Sequence, residues 1–168
     1  TRKVITDHST IGLLVTTDGS ITDIERESYV ETEKRVVSEL KELEKPFVIV
    51  LNSTDPFSVE TRALAERMQG EYDVSVVSVD AMNMTGDDVI RILQEALYEF
   101  PVTEVEVHMP EWVSEIGEDH WLRSDLESRI YEIVDGIQRI RDLDRAVLSL
   151  SEIEAAESSS LLKMDLST

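Results

Sequence analysis

The chain has 168 residues, 41% of them hydrophobic, which is enough for one well-packed core or for one core and part of a second. Its 36 acidic residues outnumber 16 basic ones and give a formal net charge of −20, so binding to nucleic acid or to an anionic membrane surface is not expected. It contains no cysteine, which excludes disulfides, thiol catalysis and thiolate metal sites and is compatible with a reducing cytoplasm.

The first residues, RKVITDH, have the pattern of the end of a helix and not that of a signal peptide. The longest apolar runs, residues 11–15 and 47–51, are far shorter than the roughly 20 residues that a transmembrane helix needs. We therefore expect a fragment of a longer protein, with no transmembrane segment in this part.

A first strand and helix are predicted from residue 11 onward. Residues 11–16 form an apolar run that ends at the turn signal Asp18-Gly19, which is typical of a strand buried on both faces. Ser28 and Glu31 have the spacing of a capping box. Apolar residues then recur at helical spacing up to Pro46, which predicts a helix over residues 28–44.

Two further strands, residues 47–51 and 74–79, each precede a predicted helix. Ser58 opens the first of these helices and Gly70 ends it. Thr85 caps the second helix, which ends at residues 100–101. Its apolar stripe comprises Val89, Ile92, Leu93, Ala96 and Leu97.

This alternation predicts an α/β fold, a parallel sheet flanked by helices, because a crossover helix returns each strand to the same edge of the sheet. In such sheets ligands bind beyond the carboxyl ends of the strands. The polar segments TTDGS, NSTDP and DAMNMTG occupy those positions and are therefore the candidate binding loops.

After Pro101 the pattern becomes that of a smaller α+β segment. Residues 102–107 resemble a short strand, and Ser124 with Glu127 predicts a capping box for a helix that reaches about Arg145. Residues 147–153 and 161–166 are predicted strands, with a loop over residues 155–160 between them.

The second loop, Asn52-Ser53-Thr54-Asp55, resembles the guanine-reading N-K-x-D motif of P-loop GTPases, with the lysine replaced by serine. In that motif the asparagine tethers neighbouring loops, the lysine covers the base and the aspartate binds guanine. Ser53 lacks the alkyl stem and charge of a lysine, so that cover is lost. The alternative is that these residues only form a turn before Pro56, for which they are well suited.

The third loop carries Asp80-Ala81-Met82 where related GTPases often have S-A-K and offer a backbone N–H to the base. A carboxylate from Asp80 would disfavour the O6 atom of guanine and could accept from the N6 amine of adenine. Asp55 could instead pair with guanine, but Pro56 favours an extended backbone that turns its carboxylate away. We therefore expect the intact protein to prefer ATP over GTP.

Other chemistry is weakly indicated by the sequence. His8, His108 and His120 are far apart, so no metal site is predicted, and no catalytic triad or carboxylate pair can be argued from spacing. Trp112 and Trp121 are expected in a core or at an interface and not in a ligand cage.

The segments TRKVITDHSTIGLLVTTDGSI, KPFVIVLNS, EALYEFPV and EDHWLR, in this order, resemble the stage IV sporulation protein A family over nearly the whole chain. That family looks like a relative of P-loop GTPases converted to ATP use. The resemblance implies that residues 1–101 are the later part of the nucleotide domain and residues 102–168 the start of a middle domain. Its phosphate-binding loop and Mg²⁺-binding residues would lie before Thr1, so no catalytic residue is transferred to this chain.

The resemblance further implies a spore-coat morphogenetic ATPase, which uses ATP and Mg²⁺ to polymerise into the basement layer of the coat. Its partners would be further copies of itself and other coat and membrane-anchoring proteins. Its location would be the mother-cell cytoplasm, at the outer surface of the forespore. This chain alone is expected to be inactive and to hold only the base-facing residues Asn52, Ser53, Asp55, Asp80 and Ala81. Two alternatives are a structural assembly protein with a relic nucleotide fold and a GTPase-type signalling switch.

Overall fold

The computed structural model describes residues 9–109, 111–117, 119–153, 160, 161 and 164. The backbone divides into two units, Thr1–Phe100 and Pro101–Thr168. Among the described residues, the first unit contains two buried hydrophobic clusters and the second unit contains one.

The first unit is built on a three-stranded sheet of β1 (Gly12–Thr17), β2 (Phe47–Asn52) and β3 (Val76–Val79). All pairs are parallel and the order is β1-β2-β3, which confirms the predicted α/β sheet. Thr17 pairs with Asn52, and Asn52 pairs with Val79, so the three strands end on one line. The polar loops that follow them therefore lie side by side.

Three helices flank this sheet: α1 (Glu27–Glu42), α2 (Val59–Tyr72) and α3 (Gly86–Tyr98). Val37 of α1 and Met68 of α2 pack with Ile49 on one face, while Ile92 of α3 packs with Val50 on the other. The central strand β2 is thus buried on both faces, as its continuous apolar run predicts.

The predicted caps of α2 and α3 are confirmed. The Ser58 hydroxyl accepts the Thr61 N–H, and Thr85 forms a reciprocal capping box with Asp88. The predicted start of α1 and the predicted end of α2 are wrong. Ser28 lies inside α1, whose preceding residue Arg26 is already helical and has no side-chain cap.

Gly70 does not end α2. The helix continues until Asp73, which adopts the left-handed conformation and donates its N–H to Gln69. Tyr72 is buried in the core, and this packing keeps the last turn helical in spite of the glycine.

The second unit contains α4 (Glu111–Glu115), α5 (Trp121–Asp135), a 3₁₀ turn (Ile140–Asp142) and α6 (Leu143–Ser151). Its buried cluster consists of Val113, Leu126 and Ile153. The predicted strand at residues 102–107 is wrong, since residues 102–109 are irregular and only Pro101 forms an isolated bridge, to Arg139.

Two further predictions for this unit are wrong. The expected long helix stops at Asp135 because residues 138–139 turn back to pair with the backbone at 101–102, where the Val102 N–H donates to Gln138. Residues 147–151 are helical, and Ile153 packs against Leu126 as α6 ends. The predicted loop at 155–160 and strand at 161–166 lie almost entirely outside the described residues.

The start of α5 also differs from its prediction. Its cap is His120, whose ring Nδ1 accepts the Leu122 N–H at 3.2 Å, and not Ser124. Trp112 and Trp121 are exposed, so neither belongs to a core, and the alternative that they lie at an interface stays a prediction.

Candidate functional site

Three loops meet where the parallel strands end: residues 17–20 (the first loop), 52–57 (the second loop) and 80–85 (the third loop). Their placement follows from the shared register of Thr17, Asn52 and Val79. Ligands of parallel α/β sheets bind at this edge. It is therefore the candidate site of the first unit.

The first and second loops are joined by two hydrogen bonds, and a third joins the first loop to α2. The Asp18 N–H donates to the Asn52 carbonyl at 3.2 Å, and the Thr54 N–H donates to Ser20 Oγ at 3.0 Å. The hydroxyl of Thr61, in the first turn of α2, donates to Asp18 Oδ2 at 3.2 Å. These contacts fix the two loops against each other.

The second and third loops are joined through Asn52 and Ser53. The Ala81 N–H donates to Asn52 Oδ1 at 2.9 Å, and the Ser53 N–H donates to the Val79 carbonyl at the same distance. Asn52 thus contacts the first loop through its carbonyl and the third loop through its side chain. This is the tethering role that the N-K-x-D resemblance assigns to the asparagine.

Ser53 lies beneath this surface and is only 1% exposed. Its hydroxyl lies 3.2 Å from the hydroxyl of Thr61 and accepts the Asp55 N–H at 3.1 Å. The side chain therefore has almost no surface left for a ligand. In this arrangement Ser53 supports the loops from below.

Asp18 is a charged residue of the first loop that the sequence marked as part of a turn and of a candidate binding loop, but not as a site residue. Its Oδ1 accepts from the Ser20 N–H at 2.9 Å and from the Ser20 hydroxyl at 2.6 Å. Partial burial opposes the charge, but hydrogen bonds from Ser20, Ser53 and Thr61 outweigh it and lower the pKa of the Asp18 carboxyl. The ionised carboxylate is therefore the form that holds the first loop in place.

Asp80 uses its carboxylate inside the third loop. Oδ1 accepts the Met82 N–H at 2.9 Å, and Oδ2 accepts the Asn83 amide at 2.7 Å. The Asn83 hydrogen bond is the main reason that the pKa of Asp80 is lowered. Of the five predicted site residues, Asp55 and Ala81 are exposed, Asn52 and Asp80 are half-buried and Ser53 is buried.

Phe57, at the end of the second loop, is a further feature that the sequence analysis did not identify. Its exposed ring has the guanidinium carbons of Arg62 and Arg91 at 5.8 and 6.0 Å from its centroid. Both distances are within the range of cation–π interactions. Arg91 is further held by the Ser78 carbonyl at 2.7 Å.

The segment that leads from the first loop into α1 is attached to the core by a buried ion pair. Arg26 donates to Glu33 Oε1 at 2.7 Å, and the Tyr72 hydroxyl donates to the same oxygen at 2.8 Å. Burial opposes ionisation of Glu33, but the hydrogen bonds from Arg26, Thr16 and Tyr72 outweigh it and lower its pKa. The chain reaches Arg26 through Gly19, whose φ of +93° favours glycine.

Within residues 9–109, 111–117 and 119–153 and the three single residues described beyond them, no group of three or more histidine or acidic side chains is placed to hold a metal ion. In the same part of the chain, no helix is long and apolar enough to cross a membrane. His8 lies outside the described residues.

Comparison with known proteins gives one family over the whole chain. The family described as "Stage IV sporulation protein A, ATPase domain" matches residues 1–101, and "Stage IV sporulation protein A, middle domain" matches residues 102–168. No solved structure matches the chain.

Curated relatives named "Stage IV sporulation protein A" are similar over 166 residues, or 99% of this chain. Identity is 48% to the protein of Bacillus subtilis (strain 168), 44% to that of Bacillus anthracis and 40% to that of Clostridioides difficile (strain 630). The chain spans about a third of the length of each relative, 34% in all three cases. The chain belongs to the stage IV sporulation protein A family.

Proposed function

We propose that this chain supplies the base-facing loops of an ATP-binding domain, followed by the beginning of a second domain, in a protein that hydrolyses ATP to assemble the spore coat. The observation that carries the proposal is the Asn52 tether, which joins Ala81 of the third loop to the end of the central parallel strand. In the N-K-x-D motif that this loop resembles, the asparagine forms a tether of this kind. The match to a family described as an ATPase domain supports the same reading.

A preference for ATP over GTP is part of the proposal. Ser53 occupies the position of the lysine that covers the base in the N-K-x-D motif. Because Ser53 is short and buried, its side chain cannot cover a guanine base in the same way. Asp80 contributes an acceptor at the third loop, where adenine would offer the N6 amine as a donor. Asp55 is exposed and is the residue through which GTP would compete.

The phosphates and Mg²⁺ would be held by another part of the intact protein. The sequence contains no G-x-x-x-x-G-K-[ST] loop, so the chain alone is expected to bind nucleotide weakly and not to hydrolyse it. In the intact protein, ATP hydrolysis would drive self-assembly into the coat basement layer at the forespore surface, in the mother-cell cytoplasm. Further copies of the protein and other coat and membrane-anchoring proteins would be its partners.

The test is a chimera in which this chain replaces the matched 166 residues of the Bacillus subtilis relative. We expect the chimera to bind ATP more tightly than GTP in competition measurements. Asn52→Ala removes the link to Ala81 and should weaken ATP binding about tenfold. Gln69→Ala, an exposed amide on α2, is the matched control and should leave binding unchanged.

Tighter binding of GTP than of ATP would contradict the proposed base preference. Asp55→Ala then locates the cause, because it should reduce GTP binding while ATP binding stays as it was. An Asn52→Ala chimera that binds ATP normally would contradict the proposed role of the tether.

A structural assembly protein with a relic nucleotide fold is the second candidate. The specific observation in its favour is that the Ala81 N–H and both Asp80 carboxylate oxygens are already used between and within the loops. This candidate predicts that the chimera assembles in a sedimentation assay without binding either nucleotide.

A further inference from the structure

Phe57, Arg62 and Arg91 form a surface whose charge is opposite to that of the chain as a whole. The Phe57 ring is 60% exposed, and the two guanidinium groups lie beside it, with their carbons 5.8 and 6.0 Å from its centroid. We call these three residues the Phe57 patch. In a chain with a formal net charge of −20, two positive charges around an exposed aromatic ring are a local exception.

Arg91 places this patch at the outer edge of β3. The Ser53 N–H donates to the Val79 carbonyl at 2.9 Å, so that carbonyl points towards β2. Successive carbonyls of a strand point in opposite directions, so the Ser78 carbonyl points away from β2, and Arg91 Nη2 donates to it at 2.7 Å. The guanidinium thus occupies a backbone acceptor that an added strand would need, which suits this edge to side-chain contacts and not to another strand.

Arg62 is the residue of the patch that is available for a new ion pair. Its side chain is exposed on α2, and no carboxylate of the described residues pairs with it, whereas Arg91 already contacts Asp88 at 3.3 Å. An arginine beside an aromatic ring can bind a carboxylate through its N–H groups while the ring packs against an apolar or aromatic surface. The patch therefore fits a partner that carries carboxylates next to an aromatic side chain.

Helix α4 of the second unit presents side chains of this chemistry. Glu115 lies one turn beyond Glu111 and Trp112, and all three are exposed, with 43% of Trp112 accessible. Val113 is instead 1% exposed and packs into the buried cluster of this unit, which fixes the side of α4 that faces outward. We call Glu111, Trp112 and Glu115 the Trp112 patch. Its charges are opposite to those of the Phe57 patch, and both patches carry an exposed aromatic ring.

We propose that the Phe57 patch of one copy of this chain binds the Trp112 patch of a second copy. Because the two patches differ, each copy uses one patch towards one neighbour and the other patch towards the next. Head-to-tail contacts of this kind add further copies unless they close into a ring. That the partner is a second copy rests on the self-assembly in the proposed function, but the contact itself requires no nucleotide.

The experiment measures association of the 168-residue chain by sedimentation without nucleotide, at about 0.15 M salt, where repulsion between two negative copies is screened beyond about 8 Å. A contact of this size is weak, so we expect oligomers at chain concentrations up to about 1 mM. Arg62→Glu and Glu115→Arg should each weaken association about tenfold or more, because each places like charges in the contact. Arg67→Glu on α2 and Glu132→Arg on α5 make the same charge changes at exposed positions outside the patches and should associate like the unmodified chain.

Mixing the two variants gives a second readout. The Arg62→Glu chain keeps an intact Trp112 patch and the Glu115→Arg chain keeps an intact Phe57 patch, so an equimolar mixture should regain the association that each variant lacks alone.

A chain that stays monomeric at about 1 mM, association that both variants retain, or a mixture that associates no better than its components would each overturn the proposal. If copies associate through the two patches but the chimera binds no ATP, the proposed function fails and the contact stands. If the chimera binds ATP and assembles equally well with and without Arg62→Glu, the proposed function stands and this contact is wrong.

Discussion

The two units bury their apolar residues in different ways. In the first unit, β2 passes through the middle of the sheet, and Val48, Ile49 and Leu51 are fully buried between helices on both faces. In the second unit, the described cluster is centred on Val113 with Leu126 and Ile153. In the first unit, one strand, β2, is both hydrogen-bonded on its two edges and buried on its two faces. The core of the second unit depends instead on contacts between short helices.

The second unit also relies on side chains to hold its turns. The Asp142 carboxylate accepts from the Gln138 and Arg139 N–H groups at 3.1 and 2.9 Å, just after α5 ends. Its large aromatic residues Trp112, Trp121 and Tyr131 are exposed and add little to its core. We therefore expect equivalent substitutions to cost less free energy of unfolding in the second unit than in the first.

Shortening a core side chain is expected to give the largest difference between the two units in the free energy of unfolding. Ile49→Ala removes a side chain with no exposed surface and should lower the free energy of unfolding of the first unit by about 3–5 kcal/mol. Leu126→Ala in the second unit should cost about 2 kcal/mol, since the smaller cluster can relax around the cavity. Urea denaturation followed by hydrogen exchange in each unit measures both values. Equal costs would contradict the contrast between the units.

Acid should affect the candidate site through Asp18. Because its pKa is lowered on folding from 3.8, its contribution to stability is present above that value and is lost as the pH falls through the lower folded value. The first unit should therefore lose stability as the pH falls from above 3.8 to below the folded pKa of Asp18, and Asp18→Asn should lose less over the same range. Urea midpoints across this range, monitored in the first unit, provide the test. Parallel curves for both proteins would exclude this role of Asp18.

Removing a helix cap is expected to give the smallest difference between the two units in the free energy of unfolding. Thr85→Ala breaks a reciprocal capping box on α3 and should cost about 1 kcal/mol. His120→Ala removes a single 3.2 Å bond to the Leu122 N–H at the start of α5 and should cost about 0.5 kcal/mol. Thermal unfolding of each variant, compared with Ser151→Ala as a surface control, ranks the two caps. A larger loss for His120→Ala would reverse the predicted order.

Local patterns predicted most of the first unit, because each of its strands is an apolar run and two of its helices begin at a residue that caps them. Ser58 and Thr85 accept backbone N–H groups within three residues, so their role is visible in the sequence. In the second unit, predictions made from local sequence patterns were wrong. Residues 102–107 alternate like a strand but form only the bridge at Pro101, and the length of α5 depends on that distant pairing.

The position of Asn52 at the end of β2 was predicted from the sequence, but most contacts around it were not. The end of β2 placed Asn52 at the carboxyl edge, and its link to the third loop agrees with the motif. The roles of Asp18 and Thr61 were missed because they are 43 residues apart and meet only in the folded unit. The burial of Ser53 could not be read from a polar side chain in a turn-like segment either.

The Asn52 tether makes the three loops a single mechanical element. Moving the third loop away would break the Ala81 bond to Asn52, and moving the first loop would break the Asp18 bond to the Asn52 carbonyl, so neither can shift without disturbing the end of β2. A ligand that displaces one loop therefore acts on all three. Strain from a ligand bound at this edge would pass directly into the central strand, which is the most deeply buried part of the first unit.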